Sequence, residues 1–554
     1  MPTVNLNKKV FEKLVGKTLP LDKLKDRISM LGTDLEKIEG NEIVVEVFPN
    51  RPDMLSEQGF ARAFSSFIGA KTGLRKYAVK KSDYEVVIDK TVKNIRPYTV
   101  CAVVKNLKFD DEKIREIVQI QEKLHVTLCR KRKKGAIGIY PMEAIKFPIR
   151  FMAKDPREIK FRPLEFPREI TGLQILSQHP AGRDYAYLLE GLDKFPIFID
   201  ANDQILSMPP IINSHLTGKV SEKTREVFIE CSGFDIDTLK VCLNIIVTAM
   251  AEMGGEIHSI DVKMPQGYKD KKITTPNLEP QKWKIELDFV NKILGLDLKE
   301  SEMKKLLERM GHGYEKGKVL VPAYRADIMH QIDFVEDIAI AYGYENFKPA
   351  IPNVSTIGEE DGFEVFKRGV AEILAGLNLL QCETYNLTNL DNLNRKMGVE
   401  LNCVEIENAV NVDYNVLRSW ILPSLLQILN ENKHHEYPQN IFTIGTAFKE
   451  NSKTETGVEE FSRVAAALCG LDIDYTKIRQ IFDYLVRCLD LKAEFADEDH
   501  PSFIPGRCAR VKISGRDVAY VGELHPAILN NWDLQMPAAA FELNLTELYS
   551  ILNG

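Results

Sequence analysis

Apolar positions along the chain follow two different periods, and the switches between them mark out its elements. PLDKLKDRISMLG carries its apolar residues at helical spacing and is closed by Gly32, a residue free to adopt the left-handed backbone that ends a helix. NEIVVEVFP alternates like a strand, and NRPDMLSEQGFARAFSSFIGAKTG returns to helical spacing with Asp53 as its expected N-cap. From about Tyr84 to Val262 the pattern becomes short strands (VVID, YTVCAVVKNL, AIGIY, FPIFID, VFIECSG) with few helices between them. A helix, LKESEMKKLLERMGHG, a strand, KVLVPAY, and a helix over Tyr324–Phe347 follow. The Pro-bearing polar stretch KPAIPNVSTIGEEDG then predicts a boundary. Beyond it, the amphipathic helix FEVFKRGVAEILAGLNLL mixes with the strands NIFTIGTAF, RVAAALCGL, ARVKISG and AAAFELNL. The expected fold is a multidomain α+β chain divided at residues 1–82, 83–265, 270–348 and 355–554.

One pattern occurs twice. A helix ending Met30-Leu31-Gly32, a strand, Arg51-Pro52-Asp53-Met54 and a helix are echoed by Met310-Gly311, a strand, Arg325-Ala326-Asp327-Ile328 and a helix. Both copies therefore read as helix-turn-helix-like modules. In the second, Ile328, Ile332, Val335, Ala339 and Tyr342 form the expected buried stripe, while Asp333, Glu336 and Asp337 crowd another flank. Like charges at these spacings repel by about 0.2–0.5 kcal/mol per pair. Two readings are open. The acids face water with Asp327 capping the helix, or they hold a cation, for which hard carboxylate oxygens suit Mg²⁺. Aligned on Arg-x-Asp, the first copy has Gly59, Arg62 and Ala63 at the trio's positions, so the shared architecture does not require it.

Composition narrows the class. The 554 residues include 44% hydrophobic and 28% charged residues, with a net charge of -7, so a nucleic-acid partner requires a local basic patch. The dense basic run is Arg130-Lys131-Arg132-Lys133-Lys134, and it reads either as a solvated loop or as a nucleic-acid contact. Nine Cys without a CxxC pair, a start lacking an apolar leader, and no apolar run of the roughly 18 residues that span a bilayer predict a cytoplasmic protein without a membrane partner. In IFIDANDQILSMPPIINSHLTGKVSEKTREVFIECSG, Glu230 and Ser232 share one strand face. With Ser207 they could recognise a polar atom on an otherwise apolar ligand, although ordinary turn chemistry also accounts for them. Walker, GxGxxG, HExxH and GxSxG motifs are absent, so no complete catalytic site is evident.

Several segments taken together resemble the β subunit of the archaeal/eukaryotic type of phenylalanyl-tRNA synthetase. They are VFPNRPDMLSEQGFAR, IQEKLHVTLCRKRKKGAIGIY, FPIFIDANDQILSMPPIINS, VPAYRADIMHQIDFVEDIAIAYGYENF, NIFTIGTAF and YVGELHPAILNNWDLQMPAAAFELNL. The resemblance implies an α₂β₂ heterotetramer that joins phenylalanine to tRNA(Phe). ATP and phenylalanine bind the α subunit, so this chain carries no catalytic residue for aminoacylation. Residues 83–265 become an α/β editing domain, and residues 355–554 a class II synthetase-like antiparallel sheet with flanking helices, NIFTIGTAFKEN lacking a following FRxE. The family's magnesium ligands match Asp327, Asp333, Glu336 and Asp337, at the contact with α. Its editing pocket, which hydrolyses tyrosine misattached to tRNA(Phe), matches Phe198, Ser207, Glu230 and Ser232. Some archaeal members carry Asp and Thr at the last two positions. A competing reading is a stand-alone nucleic-acid-binding scaffold built from the two echoed modules and the basic run.

Overall fold

The computed structural model describes residues 2–553, and the chain divides into two compact units between Ile351 and Pro352. The chain is a mixed α+β protein of several parts. No helix or strand lies between residues 347 and 361, the stretch that the polar, Pro-bearing composition marked as a boundary.

In the first unit the sequence echo is a structural repeat. Thr3–Asn7, helices Lys8–Val15 and Leu21–Met30, strands Asp34–Glu39 and Glu42–Glu46, and helix Glu57–Phe67 make one copy. Gln281–Lys284, Leu287–Leu294, Glu300–Arg309, Gly313–Glu315, Lys318–Val321 and Gln331–Tyr342 make the other. In both, the last strand lies between the first two in a three-stranded sheet. Gly16 and Gly295, at φ 77° and 65°, end the corresponding first helices in the left-handed region, where a side chain is costly. The copies pack reciprocally. Gly32 approaches Ile340 of the second copy, and Gly311 approaches Ser66 of the first.

The two Arg-x-Asp motifs do not cap helices, contrary to the sequence expectation. Arg51 grips Asp53 through Nε and Nη2 at 2.8 and 2.9 Å, and Arg325 grips Asp327 in the same way at 2.7 and 2.6 Å. A planar guanidinium two residues away offers two charge-assisted hydrogen bonds, which outcompete a single backbone N–H. The caps lie further on. Ser56 Oγ accepts from Gly59 N, and His330 pairs with Asp333 in a reciprocal capping box.

Between the repeats in sequence lies an eleven-stranded sheet whose order ends Ile149–Lys154, Glu85–Ile88, Glu256–Lys263, Tyr98–Lys105, Val227–Gly233 and, at its edge, Gly135–Pro141. Val227–Gly233 is buried along its whole length, and its register sets Glu230 between Cys101 and Gly138. Helices Asp111–Val126 and Ile236–Glu252 pack against this end of the sheet.

The second unit is a seven-stranded sheet with Gln439–Glu450, Val458–Cys469, Ala538–Asn544, Arg516–Leu524 and Phe503–Ile513 at its centre. It is antiparallel apart from the short edge strand Leu380–Gln381. Val464, Ala466 and Leu468 enter one core with Phe482 and Phe541, while Ala465, Ala467 and Cys469 enter another with Leu425 and Trp420. The continuous apolar runs RVAAALC and AAAF follow from this, because both faces of the sheet are covered.

Candidate functional site

A cavity of about 390 Å³ opens where the strand Val227–Gly233 meets the turn Pro209–Ile212 and the helix Asp111–Val126. Apolar Ile114, Ile117, Ile137 and Ile139 line one side, and Ser207, Asn213 and Glu230 bring polar atoms to the other. Two of the four residues expected here, Ser207 and Glu230, line it. Phe198 lies behind them, fully buried and stacked on Phe151 with ring centroids 4.3 Å apart. Ser232 is also behind, its Oγ accepting from Arg96 Nε at 3.1 Å.

Tyr140 joins the polar residues, and the sequence reading passed it over. Its hydroxyl lies 2.7 Å from Ser207 Oγ, 3.2 Å from Glu230 Oε1 and 3.4 Å from Asn213 Oδ1. The ring is wholly buried and stacks on Phe228. Gly138 makes this possible. A Cβ there would stand 2.2 Å from the Tyr140 hydroxyl and 2.6 Å from Glu230 Oε1. The signal in the sequence is the spacing in GAIGIY, with a glycine two residues before the tyrosine on the same strand face.

The electrostatics of this cluster come from burial. Burial pushes the Glu230 carboxyl up to about 8, although Arg96 pulls in the opposite direction. Burial, reinforced by Glu230, drives the Tyr140 phenol well above its ordinary value, so it stays protonated. Glu230 Oε2 is buried with no hydrogen-bond partner. A buried orphan acceptor costs about 1–3 kcal/mol. In a cavity wall the ionised carboxylate is suited to receive a hydroxyl from a bound molecule. At the far wall, Ile137 N donates to His125 Nε2 at 2.9 Å, which leaves Nδ1 as the protonated nitrogen, 3.1 Å from Glu122. Arg132 closes the rim, donating to Pro210 O, Ile211 O and Glu122.

The acidic helix is divided differently from its helical wheel. The buried apolar residues are Phe334, Val335, Ile338, Ala339 and Ala341, so Val335 and Ala339 of the expected stripe are covered while Ile332 is 41% exposed. Asp337 is buried with the apolar face because its partners are buried too. Arg325 Nη2 donates to its Oδ2 at 2.9 Å, and His312 Nε2 lies 2.7 Å away. Burial opposes ionisation there, yet Arg325 and His312 hold this carboxyl well below the usual range. Asp327 is the second partner of Arg325. Asp333 and Glu336 lie apart from that pair, on a groove shared with Ile293, Leu294 and Tyr344. Asp333 Oδ2 accepts from Met329 N and His330 N, and Glu336 Oε1 from Tyr344, which leaves each a second oxygen. Among the described residues, no three His, Cys, Asp or Glu side chains are grouped to hold an ion. Hard oxygens of this kind suit Mg²⁺, but the four carboxylates do not form a single centre: Asp327 and Asp337 are taken up by Arg325, while Asp333 and Glu336 lie on the groove.

Residues 348–545 match the family described as "Phenylalanyl tRNA synthetase beta chain CLM domain", and residues 283–344 the "tRNA synthetase B5 domain". The chain is 39% identical to the "Phenylalanine--tRNA ligase beta subunit" of Pyrococcus abyssi over 99% of its own length and 100% of the relative's. It is also 39% identical to that of Thermococcus gammatolerans over 99% of both chains. A crystal structure of an N-terminal fragment of the phenylalanyl-tRNA synthetase beta-subunit from Pyrococcus horikoshii matches with a TM-score of 0.59 and 38% identity. It covers 62% of this chain and 99% of the fragment. No described helix is long and apolar enough to cross a membrane.

Proposed function

The chain belongs to the family of phenylalanine–tRNA ligase β subunits, and from that premise we propose that it works in the cytoplasm with an α subunit, as an α₂β₂ heterotetramer, to charge tRNA(Phe). ATP and phenylalanine are handled by α. The second unit, with its antiparallel sheet, serves as a class II synthetase-like body without the aminoacylation chemistry. The cavity at Glu230 hydrolyses tyrosine wrongly attached to tRNA(Phe). Full-length similarity to these relatives disfavours the stand-alone scaffold reading.

The observation that carries the hydrolytic reading is Glu230 Oε2, a buried acceptor without a partner at the wall of an apolar cavity. Tyrosine differs from phenylalanine by one hydroxyl donor. A site built to hydrogen-bond that hydroxyl rejects the analogue lacking it by large factors, because the buried acceptor is then left unpaired. The aromatic ring of the tyrosyl group packs on the isoleucine wall while Tyr140 holds Glu230 in place. No Ser, Cys or Lys nucleophile is paired with a base in this lining. A bound water therefore attacks the ester, promoted by proximity and by hydrogen bonds to the developing oxyanion.

A magnesium ion at the acidic helix would be held by Asp333 and Glu336, where it would supply a charge-neutralising joint towards α. Asp327 and Asp337 support it indirectly, by locking Arg325 beneath that helix. The subunit reading is tested by purifying the tagged chain from its host. A co-purifying α-type protein, with phenylalanine-dependent ATP–pyrophosphate exchange only in its presence, is the expected outcome. A lone, monodisperse chain would contradict it.

A further inference from the structure

The basic run does not lie on a remote surface. It follows the helix Asp111–Val126 directly, and its central residue forms the rim of the Glu230 cavity. Arg132 is half-buried and fixed. Its guanidinium donates to Pro210 O and Ile211 O and stacks over Tyr185, 4.2 Å from the ring centre. Arg130, Lys131 and Lys133 are exposed, and no ion pair to any of them is recorded among the described residues. Arg130, Lys131 and Arg132 take φ of 47°, 51° and 65°, three consecutive non-glycine residues in the left-handed region. Each costs on the order of 1–2 kcal/mol. A string of strained residues is held where the surrounding structure over-determines it, and such strings collect at working surfaces.

Two exposed aromatic rings flank this loop. Tyr187 is 45% exposed, with Lys133 Nζ 5.9 Å from its ring centre and its hydroxyl on Lys131 O. Phe234 is 52% exposed, its N–H bonded to Lys134 O and its ring faced by Arg96 at 5.6 Å. Cations tracking a backbone, interleaved with aromatic faces on which bases stack, are the chemistry that binds single-stranded nucleic acid. An acidic peptide would use the cations but leave the rings without a role. The protein's net charge of -7 makes a local patch necessary for any polyanion.

We propose that the loop Arg130–Lys134, with Tyr187 and Phe234, is the docking surface for the single-stranded 3′ end of tRNA, and that it feeds the terminal aminoacyl ester over Arg132 into the Glu230 cavity. Exposed Arg130, Lys131 and Lys133 contact phosphates, the two rings stack bases, and Arg132 fixes the threshold. The inference rests on the hydrolytic reading of that cavity.

The test uses the α/β holoenzyme and Tyr-tRNA(Phe), comparing wild type with the triple variant Arg130→Gln, Lys131→Gln, Lys133→Gln and with Tyr187→Ala. For the triple variant, KM for deacylation should rise at least tenfold with kcat within about twofold. Losing three phosphate contacts at about 0.7 each should lower the slope of log KM against log salt by about 2. Tyr187→Ala should raise KM several-fold and leave the salt slope intact. Unchanged thermal unfolding and unchanged phenylalanine charging show that the variants fold. A triple variant with wild-type KM and wild-type salt slope would overturn the docking surface while leaving the cavity's activity standing. A wild-type holoenzyme unable to release tyrosine would instead overturn the hydrolytic reading and this inference with it.

Discussion

Replacing Tyr140 by Phe removes one oxygen and leaves the ring where it is. The ring is wholly buried and stacked on Phe228, so packing is preserved and no cavity larger than the lost hydroxyl is made. What disappears is the hub that joins Ser207 at 2.7 Å and Glu230 at 3.2 Å. Glu230 Oε2 is already without a partner, and the substitution takes the partner of Oε1 as well. Leaving buried polar groups unsatisfied costs about 1–3 kcal/mol, so denaturant unfolding should show a loss of that size with an unchanged m-value. The functional loss has a separate cause. Freed from Tyr140, Glu230 can turn away from the cavity. Deacylation of Tyr-tRNA(Phe) should then fall about tenfold or more in kcat/KM, equivalent to about 1.4 kcal/mol or more of transition-state binding. With charging assigned to α, as proposed above, phenylalanine charging should be unaffected. A Tyr140→Phe enzyme with wild-type stability and wild-type tyrosine release would refute the claim that this phenol holds the site together.

Glu230→Gln should flatten the pH profile of tyrosine release. With its carboxyl pushed up to about 8, wild-type Glu230 gains its ionised, stronger acceptor form as pH rises through 8, and kcat/KM should rise with it. The folded state holds this proton above the ordinary value of 4.5, so wild-type stability should fall between about pH 4.5 and 8, by up to about 1.4 kcal/mol per unit, and the Gln variant should escape that fall in calorimetry. Gly138→Ala should abolish tyrosine release, because its Cβ would lie 2.2 Å from the Tyr140 hydroxyl; normal hydrolysis by that variant would show that the cluster is not needed as built. Asp337→Asn should destabilise the first unit by about 1–3 kcal/mol, since it removes the buried charge that Arg325 and His312 bind while Asp327 still neutralises Arg325, whereas Asp333→Asn with Glu336→Gln should lower magnesium affinity and loosen α with little effect on stability. Equal destabilisation by both changes would refute the division of the acids into two pairs.

The elements that were legible in the sequence are those whose period is set by burial. The strands around VFIECSG, RVAAALCGL and AAAFELNL and the helix FEVFKRGVAEILAG read correctly because apolar spacing reports directly which faces are covered. The echo of two Arg-x-Asp modules was visible too, and it proves to be a repeat down to strand order. The capping expectation for Asp53 and Asp327 fails locally: the arginine two residues before each offers a bidentate contact that helical spacing does not reveal. The charged-flank expectation for Asp337 fails because its partners are delivered by tertiary structure, His312 and Arg325 reaching it from different elements. Tyr140 was missed for the same reason. Its role depends on Ser207 and Glu230, which only strand pairing brings to it, and a tyrosine in an apolar strand is ordinarily core. Ser232 shares a strand face with Glu230, as its spacing predicts, yet it is turned to Arg96.

The most direct measurement is tyrosine release from preformed Tyr-tRNA(Phe) by the purified α/β holoenzyme, wild type against Glu230→Ala, with phenylalanine charging followed in parallel. Rapid release by wild type, a large loss in Glu230→Ala and nearly intact phenylalanine charging in both is the predicted result. Equal tyrosine release by the two enzymes would contradict the assignment of hydrolysis to this cavity.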